Sequence, residues 1–227
     1  MDNKSKEEKV KKTGLPDSST LTTSTAVDPQ PLDTTKPFIV DDFPVPDQVL
    51  GQTLQSSMYM KSGDVHSVDK VWFTNDKLGQ TLVFSLYTDY YRSSTFLFSN
   101  NDIPRKLVEW MELQTNTGLA SESEKIENFE GLVRQAKKGK ESYFTTNKGF
   151  RLGDAKQKVL NGYGNPDRVT KSGNVEIGEW WFTGENNYTG KEDRQGKPLA
   201  ANSFGHDTTM FFRNDKLIAL IFHNNVP

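Results

Sequence analysis

The stretch that most restricts the architecture of this chain is TTMFFRNDKLIALIFHN, residues 208–224. An aromatic run, MFF, and an aliphatic run, LIALIF, flank Asn-Asp-Lys. Both have the content of buried strands. Asn tolerates the positive φ that a tight hairpin turn requires, so the segment predicts an antiparallel hairpin. An earlier stretch repeats the device: FTNDKL at Phe73–Leu78 recurs as FRNDKL at Phe212–Leu217. Either a shared turn preference produced the same letters twice, or an internal duplication left two related β-rich modules.

The rest of the chain falls into place around these hairpins. Residues 1–36 combine a charge cluster, KSKEEKVKK, with a Ser/Thr/Pro/Asp-rich stretch holding isolated aliphatics. Such a segment cannot bury enough surface to offset its ordering entropy, which predicts a disordered tail or tether. PFIVDDFPVPD reads as an extended entry, because three prolines forbid a helix there. LQSSMYMKS, HSVDKVWFT, QTLVFSLYTDYY and STFLFSN are strand candidates. NDIPRKLVEWMEL predicts a helix capped by Asn101 or Asp102, with Ile103, Leu107, Trp110 and Met111 on one face. ESEKIENFEGLVRQAKKGK predicts a second, carrying Ile126, Phe129, Leu132, Val133 and Ala136 at helical spacing. A third short helix, AKQKVLNGY, is expected to start at an Asp154 cap and stop at Gly162 and Gly164. RVTKSGNVEIGEWWFTG then turns at KSGN, and a polar loop fills 184–205. The fold class expected is α+β: an antiparallel sheet with short helices packed on one face. The boundaries expected are a tail (1–36), a β-rich module ending in a helix (37–115) and an α+β module (116–227). Two tandem related modules or one continuous domain 37–227 both satisfy this pattern.

Composition excludes several chemistries. With no cysteine there is no disulfide, thiolate metal site or cysteine nucleophile. A net charge of −2 argues against a nucleic acid or an anionic membrane as partner. No apolar run reaches the length of a membrane span. MDNKSKEEKVKKTG has no apolar region after its charges, so it is not a signal peptide. Either the protein works in the cytoplasm, or Met1 stands after a removed export signal.

GFRLGDAKQKVLNGYGNPDRV, then WWF, then MFFRNDKLIALIF resembles the module shared by the small-protein-A type outer-membrane assembly lipoproteins and β-lactamase inhibitor protein. Its pattern is a Gly-Asp lead, a short helix, a YGxPD turn and closing strands ending in F-x-N-x-K-L-x-x-I-x-F. The match covers about residues 143–224. The resemblance implies a short helix packed on an antiparallel sheet. It also implies an exported, often lipid-tethered protein, in the periplasm or at the cell surface, that binds a protein or another envelope component without catalysis. The chain departs from the pattern in lacking a lipobox cysteine and in the length of the loop after WWFTG.

No residue pattern assembles an active site. GYGNP follows a helix and lacks Lys-Ser/Thr, so a phosphate-cradling role is weak. His66, His206 and His223 stand apart in sequence, and no G-x-S-x-G is present. The sequence therefore predicts no enzyme, no cofactor and no metal. The class that competes is a metal-dependent hydrolase built on His206, Asp207 and the acidic loop nearby; a small-ligand carrier is a third. The residues best suited to bind a partner are aromatic: Tyr87, Tyr90 and Tyr91 at a strand end, Trp180 and Trp181 on a strand, and Tyr188 in the loop. Adjacent strand residues face opposite sides of a sheet, so one of Trp180 and Trp181 is core.

Overall fold

The computed structural model describes residue 29 and residues 31–57, 69–86, 92–113, 121–190 and 196–224. Among the described residues eight strands form one sheet: β1 (Asp69–Asn75), β2 (Gln80–Leu86), β3 (Arg92–Ser99), β4 (Lys137–Lys138), β5 (Arg168–Ser172), β6 (Val175–Thr183), β7 (Gly205–Arg213) and β8 (Lys216–Asn224). Their order is β4-β1-β2-β3-β8-β7-β6-β5. Every pairing is antiparallel except β1 with β4. The β3–β8 pairing, Ser94↔His223 to Phe98↔Ala219, joins strands from the two halves of the sequence. The α+β class expected from the sequence is the one observed.

Helices cover both faces of the sheet, not one. On the first face, α1 (Asp47–Ser57) and α4 (Lys156–Tyr163) contribute Leu50, Val159 and Tyr163 to a core with Leu82, Phe84, Leu97, Trp180 and Phe182. On the second, α2 (Arg105–Leu113) and α3 (Glu122–Gln135) set Leu107, Met111 and Phe129 against Val83, Phe96, Phe98 and Phe211. Alternation along β2 explains the division: Leu82 and Phe84 point to one core, Val83 to the other.

Several local expectations are corrected. The start of LQSSMYMKS, Leu54–Ser57, belongs to helix α1; its remainder lies outside the described residues. Asp47 at the first turn favours that helix through the dipole. Helix α2 begins at Arg105 rather than at an Asn101 or Asp102 cap. Asp102 instead bridges to Ser99 and pairs with Arg213. Trp110 lies off the buried stripe of α2, at 37% exposure. Asp154 does not cap α4: its carboxylate accepts from the Arg151 N–H at 2.9 Å and from Lys158 Nζ at 2.7 Å. The N-cap is Ala155, and the first-turn N–H of Lys156 donates to the Asp215 carbonyl of the β7–β8 turn, 2.9 Å away. Helix α3 carries a capping box, Ser121 with Glu124, that the sequence reading did not use.

Most of the expected tail lies outside the described residues. Its last part is not free of the core, since Leu32 packs against the main cluster. It fits there because Gly164 has φ +73 and no side chain; a Cβ would stand 3.3 Å from Leu32. The same glycine ends α4, donating to the Leu160 carbonyl at 2.8 Å.

Candidate functional site

Trp180 and Trp181 divide as strand parity requires. Trp180 is fully buried on the first face, its indole N–H donating to the Gly164 carbonyl at 3.1 Å. It belongs to the core and offers nothing to a partner. Trp181 is 39% exposed on the second face. Its surroundings follow from the β5–β6 hairpin. A two-residue turn, Ser172↔Val175, brings Arg168 opposite Glu179. The Arg168 guanidinium grips the buried Glu179 carboxylate with two of its nitrogens. It also stands 5.5 Å from the Trp181 ring centroid. The Trp181 backbone N–H donates to Asp167 Oδ2 at 2.7 Å, and Lys197 Nζ meets the same oxygen at 2.5 Å. Burial pulls the Lys197 ammonium pKa down, opposed by its bond to Asp167. Trp181 is thus an exposed ring on a strand residue whose backbone N–H is held by Asp167, which Lys197 holds in turn.

Across the second face, register continues the row: Trp181 lies opposite Asp207, Asp207 opposite His223, His223 opposite Ser94. Ser94 Oγ is 2.8 Å from His223 Nδ1. Serine, histidine and aspartate on neighbouring strands suggest nucleophilic catalysis, but Ser94 is 1% exposed. A nucleophile must reach its substrate, so the Ser94–His223 contact is a cross-strand tie. Among the described residues no three His, Asp or Glu side chains gather to hold a metal.

His206 occupies the opposite face from Asp207. It is 1% exposed, stacked 5.0 Å from the Phe182 ring and 5.8 Å from the Phe38 ring. Neither ring nitrogen has a hydrogen-bond partner among the described residues. Burial, with Lys148 and Lys197 adding to it, lowers its pKa to about 3. A neutral, enclosed imidazole of this kind is poorly placed to act with Asp207, on the other face, or with the exposed Glu185.

Tyr188 is half-buried, and its N–H closes the short turn Glu185–Asn187 by donating to the Glu185 carbonyl at 3.3 Å. That loop folds back on its own base through Asn186 to Ser203, Asn187 Nδ2 to Phe204 and Ala200 to Thr183. Tyr87, Tyr90 and Tyr91, like His66, lie outside the described residues. Of the six aromatic candidates, the structure therefore places Trp181 on the surface, Trp180 in the core and Tyr188 between. Sequence reasoning missed Asp167, Arg168, Glu179 and Lys197. A signal existed: a two-residue turn at Gly173-Asn174 sets Arg168 against Glu179 by counting alone.

No protein-family model matches the chain, and neither a curated protein nor a solved structure matches it. Fold and side-chain geometry carry the functional argument. Among the described residues no helix is long and apolar enough to cross a membrane.

Proposed function

We propose that this chain is an extracytoplasmic binding protein, lipoprotein-like in its habit, which takes up a protein or cell-envelope component on the second face of its sheet. One observation carries the reading: Trp181 is presented to solvent on a strand whose backbone Asp167 locks, beside the Arg168 guanidinium. Exposed tryptophan and arginine on a rigid support are the residue types that dominate interface energies. The described parts of the polar loop, 184–190 and 196–204, flank the same end of the sheet. The habitat rests on the tail composition and on the resemblance of residues 143–224 to exported modules.

Trp181→Ala is the test. Immobilised wild-type protein and the variant are compared for capture from an envelope extract. The expected outcome is at least about tenfold weaker capture, near 1.4 kcal/mol. Stability should change by less than about 1 kcal/mol, because the ring is partly exposed. Unchanged capture, or a fall in melting temperature that accounts for the loss, defeats the reading.

A further inference from the structure

Residues 32–46 cross the first face as a strap. Phe38 pairs with the 199–201 segment: its N–H donates to the Leu199 carbonyl at 2.7 Å, and its own carbonyl accepts from Ala201 at 2.8 Å. The Phe38 ring lies 3.8 Å from the Phe182 ring at 9°. Further along, the Asp42 carbonyl accepts from Asn147 N–H, and Asp41 Oδ1 from Lys148 N–H, at 2.7 and 2.9 Å. Phe43 and Val45 are buried, Phe43 5.7 Å from Phe222. Ile39, between these anchors, is 70% exposed. The strap is held by a few backbone bonds at its two anchors and by rings inserted into a core that the sheet and α4 already form.

What the strap covers is chemically unusual. Beneath Phe38 lies His206, enclosed, with no hydrogen-bond partner among the described residues. Charged and titratable groups approach this cluster from every side. Lys148 Nζ sits 3.5 Å over the Phe38 ring and 5.2 Å from the Tyr163 ring. Lys197 Nζ lies 4.9 Å from the Phe182 ring. Tyr163 comes from α4, and Asp41 from the strap itself, 3.4 Å from the Tyr163 hydroxyl. A proton on His206 would be a buried cation with no acceptor and two ammonium groups nearby, which the closed arrangement disfavours.

We propose that the 32–46 segment is a releasable strap, held closed while His206 is neutral and let go when His206 takes up a proton. This inference is independent of the partner reading above, which concerns the other face. The sign follows from linkage. Closed, the imidazole has a pKa of about 3; opening removes the strap's share of its burial and lets that value rise toward the ordinary 6.5. The open state binds more protons between those values, so closure weakens as pH falls below 6.5. Asp41 opposes this at the acid end. Burial raises its pKa, so its protonation favours the closed state as pH falls through that raised value. Burial shifts the Lys148 ammonium pKa down, and the Asp41 carboxylate opposes that shift.

Amide exchange on the full chain tests this, read as protection factors so that intrinsic rates cancel. The Phe38, Asn147 and Ala201 amides report strap opening; β3 amides report opening of the sheet. Between pH 7.5 and 5.5 the strap amides should lose about tenfold protection while β3 keeps its own. His206→Phe keeps the ring stack and should abolish the loss. Equal protection at both pH values overturns the proposal. So does a loss shared by β3, or the same loss in His206→Phe. Should that variant fail to fold, the wild-type slope decides: about one proton taken up per opening supports the strap, and a flat profile ends it.

Discussion

The β1–β2 and β7–β8 hairpins share five letters of six, FTNDKL against FRNDKL, and they turn in different ways. In the first, Asn75 still pairs with Gln80, so Asp76–Gly79 form a four-residue loop. The Asn75 side chain accepts from the Leu78 N–H at 3.1 Å, and Gly79 closes the loop at φ +59. In the second, Arg213 pairs with Lys216, leaving a two-residue turn of Asn214 and Asp215 at φ 49 and 55. These are the left-handed values a two-residue type I′ turn requires. The residue after the shared letters makes the difference. Gly79 can take positive φ and finish a longer loop; Ile218, β-branched, cannot, so the reversal is made earlier. With that change of turn, Leu78 occupies a 41% exposed loop position and Leu217 a 1% exposed core position. The recurrence needs no common ancestry, since the letters do different work in the two places.

Substitutions at matched positions would break or sharpen that contrast. The largest effect should be Leu217→Ala, a buried deletion expected to cost about 2–5 kcal/mol in chemical denaturation. The matched change Leu78→Ala belongs at the other end of the scale. Gly79→Ala should cost about 1 kcal/mol, because alanine must adopt the left-handed backbone there. Asp215→Gly, which makes an Asn-Gly turn, should stabilise by about 0.5 kcal/mol, and Ile218 should remain in its strand by amide exchange. Leu78→Ala should shift the denaturation midpoint least, by about 0.5 kcal/mol or less. If Leu78→Ala and Leu217→Ala proved equally costly, the two hairpins would have to pack alike, against the geometry described here.

Much of the fold was legible. Alternation and turn letters found both hairpins, α3 and α4, and the parity of Trp180 and Trp181. Helix α1 was missed because the prolines at 37, 44 and 46 made the stretch through Asp47 read as extended, while Leu54–Ser57 read as the start of a strand. The two-sided core was missed although a signal stood in the sequence. The near-continuous apolar runs TLVFSL and STFLFS on β2 and β3 indicate strands buried on both faces, not one. The β3–β8 join could not be read, because Ser94 and His223 are 129 residues apart and no local preference encodes their register. The site was legible only in part. An exposed tryptophan could be anticipated, but the Asp167 anchor and the Arg168 ring contact depend on register, and the isolation of His206 depends on packing from the distant strap.

The strand latest in the sequence, β8, sits between β3 and β7, near the middle of the sheet. A polypeptide emerging from its amino end therefore exposes β3 as an open edge until that final segment arrives. The two halves of the sheet meet only through it, so their joining waits until residues 216–224 are made.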